Sequence, residues 1–230
     1  MLNEIKSVPR LDPEMEKFMK DFVDSMTLEN MRKNVKVRMF DKENPRVMTR
    51  LEAGVPMREV CGDFVLFAVY EVEAPDGEGM LSASIPKGVI EEAFESDDEL
   101  FDIAIANMGD PMMTPISIPY VEDGAVNLLE DMDEPMDVLS VLSFGNGLNG
   151  SAAIAVDGIL EKVADRVGGS YWMIPSSIHE MLIAPDDERF DETQMNEMLE
   201  RGNEMTCGPQ EVLSWKVRYY DAEKKTLNVK

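Results

Sequence analysis

Residues 64–93, FVLFAVYEVEAPDGEGMLSASIPKGVIEEA, contain in order the makings of a strand, a turn, a second strand and a helix. Phe64 to Val72 is dense in aromatic and β-branched residues, which fit a pleated surface and predict a well-buried strand. Ala74 to Gly79 carries Pro-Asp-Gly turn chemistry, so Met80 to Ile85 is expected to return as a second strand. A helix follows over about 87–94, and a second over 98–108.

That order recurs downstream. Val138 to Phe144 reads as a strand, Gly145 to Gly150 as a turn and Ala152 to Val156 as a strand. Asp157 then caps a helix whose apolar face is Ile159, Leu160, Val163, Ala164 and Val167. Residues 85–93 (IPKGVIEEA) and 155–163 (AVDGILEKV) share the pattern G-[VI]-[IL]-E at a 70-residue offset. A third copy runs from Tyr171–Pro175 through Ile178–Ala184 to a helix over Asp191–Met205. The chain closes with Val212 to Tyr220, a turn, and Leu227 to Val229. The expected fold is α+β: two or three ββα (hairpin–helix) units forming mostly antiparallel sheet, with helices packed on one face. Coincidence of a common motif is the competing account of the repeat.

The flanking regions differ from this body. Leu11, Met15, Phe18, Met19, Phe22, Val23 and Met26 recur at helical spacing, with Asp12 as N-cap and Pro13 at the first helical position. Residues 1–34 are therefore read as an N-terminal helical segment, expected to dock on the main domain rather than to dimerise, and 35–230 as a single α+β domain. Val35, Val37 and Met39 alternate with basic residues, as in a short half-exposed strand or a helix end. Within the domain, about 109–136 is read as a long acidic Pro/Met-rich insertion with Pro111, Pro115, Pro119 and Pro135. Structureless stretches of that length are uncommon in compact domains unless they are functional or disordered. Its acidic run makes Glu130, Asp131, Asp133 and Glu134 the candidate partner-binding residues.

Charge narrows the function classes. The 74 residues from Gly88 to Glu161 hold 17 Asp and Glu and no Lys or Arg. Residues 1–58 carry a net charge of +2 and residues 59–230 a net of −26. Such a field repels phosphates and anionic lipid and attracts cations, so direct nucleic-acid and membrane binding are not expected. Cys61 and Cys207 have neither metal-ligand spacing nor a pairing pattern; with no recognisable signal peptide they read as reduced thiols in the cytoplasm. No apolar run approaches the roughly 20 residues that span a bilayer.

His179, the one histidine, lies in Ile174-Pro-Ser-Ser-Ile-His-Glu-Met-Leu-Ile-Ala-Pro185. Ser176, Ser177 and Glu180 beside it suggest a hydrolase, in which Ser177, His179 and Glu180 would be catalytic. H-E-x-x-H is broken by Ile183, and no G-x-S-x-G elbow occurs. In a strand, Ser176 faces away from His179, and Ser177 is about 6–7 Å off. The expectation is therefore a half-buried structural histidine beside Met181 and Ile183, hydrogen-bonded to a serine hydroxyl or a backbone carbonyl. P-loop and dinucleotide fingerprints are absent, and Gly145, Gly147 and Gly150 precede a strand rather than a helix. The acidic clusters 97–99 and 186–188 lack EF-hand spacing. No cofactor and no metal are expected.

The string PSSIHE at 175–180, followed by EVLS at 211–214 and Tyr219-Tyr-Asp221, resembles the closing motifs of an uncharacterised domain-of-unknown-function family from anaerobic gut bacteria. The resemblance extends upstream through 142–153 and 100–107 to about Val35, and family members often carry a longer N-terminal region. It implies a bacterial, cytoplasmic, mobile-element setting and supplies no catalytic residues. The functional expectation is a non-enzymatic protein that binds an unknown, basic protein partner through its acidic surface, with nucleic-acid mimicry as the sharper version.

Overall fold

The computed structural model describes residues 13–74, 79–116, 126–129, 136–145, 147–189, 191–205, 208 and 211–230. Helices α1 (Pro13–Asp24) and α2 (Leu28–Asn34) lead into strand β1 (Val35–Asp41). Thr27 caps α2, its hydroxyl accepting the Asn30 N–H at 3.3 Å. Asn44 caps α3 (Pro45–Glu52) in the same way, with Pro45 at the position where a missing N–H costs nothing. Strands β2 (Met57–Val60), β3 (Phe64–Glu73) and β4 (Met80–Ser84) follow, then helices α4 (Lys87–Ala93) and α5 (Asp97–Ala106).

Strand β3 is the spine of the smaller sheet. β1 runs antiparallel along one edge, from Phe64 to Tyr70, while β2 and β4 share the other edge. Residues 64–70 are each 3% exposed or less. Phe64, Leu66, Ala68 and Tyr70 join Val35, Val37 and Met39 in the main core, against Met31 of α2 and Leu100, Phe101 and Ala104 of α5. The opposite face, with Phe40, Val65 and Phe67, is covered by Val47 of α3.

The larger sheet is built from β5 (Pro111–Pro115), β6 (Val126–Asn127), β7 (Ser140–Phe144), β8 (Tyr171–Ile174), β9 (Met181–Pro185), β10 (Arg218–Asp221) and β11 (Thr226–Val229). Its strand order is β11-β10-β8-β9-β7-β5-β6, and every pairing is antiparallel. Leu142, Phe144, Tyr171, Met173, Met181 and Ile183 enter the same main core as the smaller sheet. Helix α6 (Ile159–Val167) closes that core with Ile159, Val163, Ala164 and Val167. Trp172, Ile174 and Ala184 face the other way, under Met195 and Leu199 of α7 (Glu192–Met205).

The α+β class with antiparallel sheets is as expected, but the helices do not keep to one face. An uninterrupted apolar run such as FVLFAVY has no solvent side, so both faces of β3 need cover. Residues 150–155 are a 3-10 helix rather than a strand. Gly158 with φ 71°, not Asp157, precedes α6, whereas its counterpart Gly88 lies inside α4, so the matched patterns adopt different geometries. Residues 212–217 also lie outside the strands; apart from an isolated bridge at Val212, sheet pairing resumes at Arg218.

The stretch read as an insertion contributes β5, whose Met113 is fully buried. Pro111 and Pro115 stand at its ends, where a missing donor is tolerated. The acidic run Glu130–Glu134 lies outside the described residues, as do Asp12 and Cys207. In the N-terminal segment, Phe22 and Met26 of the α1 region pack on the core, with Phe22 5.8 Å from the Tyr70 ring.

One glycine is fixed by space. A Cβ on Gly150 would lie 2.3 Å from the His179 carbonyl oxygen and 2.5 Å from Ser143 Cβ. Gly150→Ala is expected to lower stability by about 1–3 kcal/mol or more through overpacking against backbone. A urea midpoint unchanged from the parent would contradict this close contact.

Candidate functional site

The two strings singled out by the sequence lie side by side. The Ile178 N–H donates to the Glu211 carbonyl at 2.8 Å, Ser214 N–H to Pro175 at 3.2 Å, and Leu213 N–H to Ser176 at 3.4 Å. Ser177 and Val212 form an antiparallel bridge between them. PSSIHE and EVLS are thus one paired loop at the ends of the interior strands β8, β9 and β10.

His179 sits in this loop ahead of β9, not in a strand beside Met181 and Ile183. Its ring is held by a partner of a different kind from the one expected: Nδ1 accepts the Asn149 backbone N–H at 3.1 Å. That bond assigns the proton of the neutral ring to Nε2, which lies 4.0 Å from Glu211 Oε1. Ser177 Oγ meets the histidine only through the main chain, accepting the His179 N–H at 3.0 Å. Ser176 and Ser177 are 7% and 8% exposed, and Glu180 is half-buried. The ring lone pair that a serine nucleophile would need is therefore already engaged.

Asn149 links this loop to the smaller sheet. It occupies the left-handed region at φ 50°, ψ 25°, which Asn tolerates better than most side chains. Its Oδ1 accepts from Arg38 Nε at 2.9 Å, and its Nδ2 donates to Glu71 Oε2 at 3.0 Å. Arg38 also reaches Ser82 Oγ at 3.0 Å. By strand alternation Arg38, Glu71 and Ser82 share one face of the sheet, where Asn149 docks. Burial lowers the Arg38 and Lys36 pKa values, and the Glu71 carboxylate offsets part of that in both. Ser151 completes the contact by donating to the Ile178 carbonyl at 2.7 Å.

A second polar junction lies at the other end of the paired loop. Arg218 is 0% exposed and touches Asp41 and Asp63, with Nη2 3.4 Å from Asp41 Oδ2. Ser214 of the EVLS string donates to Asp41 at 2.6 Å and accepts from Arg218 Nη1 at 2.9 Å. The guanidinium also stacks 4.3 Å from the Phe64 ring centroid. Cys61, beside this junction, has its thiol pKa pushed up to about 11 by burial and by Asp63, with Arg218 opposing. A thiol held so far toward its neutral form is a poor nucleophile at neutral pH.

The model of a family of unknown function, DUF5688, matches residues 3–222. The chain belongs to that family. No curated protein and no solved structure matches it.

The DUF5688 match covers both junctions and the paired loop between them. Among the described residues no three His, Cys, Asp or Glu side chains converge as a metal site would. Among them, too, no helix is long and apolar enough to cross a membrane. The residues that sequence reasoning missed are Arg38, Asp41, Asp63, Glu71, Asn149 and Arg218.

Replacing His179 tests whether its ring is a structural acceptor. His179→Ala leaves the Asn149 N–H without its acceptor and is expected to cost about 1–3 kcal/mol. His179→Asn, whose Oδ1 reaches the place of Nδ1, should recover more of that than His179→Gln. Denaturant unfolding of the three variants decides it; equal stability across the series would refute the assignment.

Proposed function

We propose that the chain is a non-enzymatic binding protein that engages a basic macromolecular partner through its acidic surface. The observation that carries this reading is the uncompensated charge on the α4–α5 corner. Glu91, Glu92, Glu95, Asp97, Asp98 and Asp102 are all exposed there. Lys87, Arg58 and Arg32 pair with Glu91, with Asp98 and Asp102, and with Glu99. Glu92 and Asp97 have no cation in ion-pair contact among the described residues, and Glu95 attracts Arg32 only at longer range. Because exposed ion pairs are weak, a cationic partner competes for these carboxylates at little cost. Nucleic-acid mimicry is the sharpest form of this proposal, and the bacterial, cytoplasmic, mobile-element setting belongs to it. Glu130, Asp131, Asp133 and Glu134 remain proposed contributors.

A hydrolase built on Ser176 or Ser177, His179 and Glu180 is the second reading. It is disfavoured by the occupied Nδ1 and by Ser177 Oγ, which accepts the His179 main-chain N–H.

The test is the salt dependence of the complex that the tagged protein forms in its native cytosol. Affinity is expected to fall at least about tenfold between about 50 and 200 mM salt, as for interfaces built on many ion contacts. Neutralising Glu92, Glu95 and Asp97 to their amides should weaken it further. A salt-insensitive complex overturns the electrostatic reading. Covalent labelling of Ser176 or Ser177 by a fluorophosphonate would move the assignment to the hydrolase.

A further inference from the structure

Trp215 is 58% exposed, whereas Trp172 is 8% exposed and packed in a core cluster. Its position follows from the tethers on either side. Ser214 is bound inward to Asp41, and Lys216 reaches across to Glu43, with both carboxylate oxygens 2.9 Å from Nζ. Between these two anchors the indole is left in solvent. It lines a pocket of about 340 Å³ together with Asp41, Glu43, Asn44, Ser214 and Lys216. That volume lies within the range of small-ligand sites.

The floor of the pocket is rigid. Asp41 is held by Ser214 and Arg218 through Oδ2, and by the Glu43 N–H, 2.8 Å away, through Oδ1. The rim combines an electron-rich indole face with a Glu43 carboxylate that already holds an ammonium. Aromatic face and carboxylate side by side are the two groups that a guanidinium engages together, by stacking and by a bidentate fork.

We infer that this pocket receives one arginine side chain of a basic partner, stacked on Trp215 and forked onto Glu43, with Lys216 displaced as an internal competitor. The inference rests on the reading that the partner is basic, and it names where one cation is held. Lys216 gives it a sign. Hydrogen bonding to Glu43 raises the Lys216 pKa, so its charge is firmly in place for an incoming cation to displace. Removing that charge should strengthen cation binding, and would destroy an anion site.

The probe is a short neutral peptide with one central arginine, titrated calorimetrically into the full chain, with the same peptide carrying citrulline as the uncharged control. Saturable binding of the arginine peptide, accompanied by a change in Trp215 emission, and none of the citrulline peptide, is expected. Trp215→Ala should weaken binding about tenfold and Trp215→Phe by less, because the ring face is the stacking surface. Glu43→Gln should weaken it about threefold or more, and Lys216→Met should tighten it by a similar factor. The three positions changed carry exposed side chains, and an unaltered melting transition in each variant shows that the fold is kept. Weaker binding in Lys216→Met, no effect of Trp215→Ala, or equal binding of the citrulline peptide overturns the inference. If the peptide fails while the salt-sensitive partner complex persists, the pocket is wrong and the acidic-surface reading stands.

Discussion

A guanidinium with no exposed surface, that of Arg218, joins the two sheets. It projects from β10 of the larger sheet onto Asp41 at the end of β1 and Asp63 at the entry to β3. Taking these charges out of water is expensive, and their mutual attraction offsets the cost together with the further hydrogen bonds of the junction, although Arg218 Nε is left without a partner among the described residues. Ser214 supplies two of them, and the Lys216 carbonyl accepts a further one from Nη1. The geometry of residues 212–217 follows from that need. Beyond the isolated bridge at Val212 they leave the sheet, with Ser214 buried and Trp215 exposed.

The second junction places a neutral amide between two charged side chains. Asn149 stands between Arg38 and Glu71 on one side and His179 on the other, at 1% exposure. Gly150 lets the turn press against the His179 backbone, and Ser151 ties it down. PSSIHE and EVLS are therefore the connector between the two sheets: one end meets Asn149, the other meets Arg218. The proposed arginine pocket is built on that connector. The Trp215 pocket has Asp41 as its floor, so the groups that order the fold also fix the site.

What was legible in the sequence is what local composition controls. FVLFAVY is apolar on both faces and read correctly as a buried strand; α7 and the β10–β11 turn were likewise visible. The failures occur where a distant partner overrides local pattern. SAAIA at 151–155 has no clear apolar period, and it forms a 3-10 helix whose first residue, Gly150, packs against the His179 backbone. Ile178–Ala184 alternates like a strand, yet His179 is drawn to Asn149, 30 positions earlier. Asp41 and Arg218 are 177 positions apart and carry no local mark of their pairing. One signal was available: in KVRYYD, Arg218 shares a strand face with Tyr220, whose apolar surroundings call for a buried counter-charge.

The central claim is that the Arg218 junction makes the two sheets one cooperative unit. Native-state hydrogen exchange on Arg218→Met tests it most directly, because the substitution strands Asp41 and Asp63 without their cation while keeping the side-chain volume similar. The expected result is that core amides of β1 and β3 and those of β8 and β10 lose protection together, by about 3–5 kcal/mol as for a broken buried ion pair. Loss confined to one sheet, with the other retaining the parent's protection, would contradict the account.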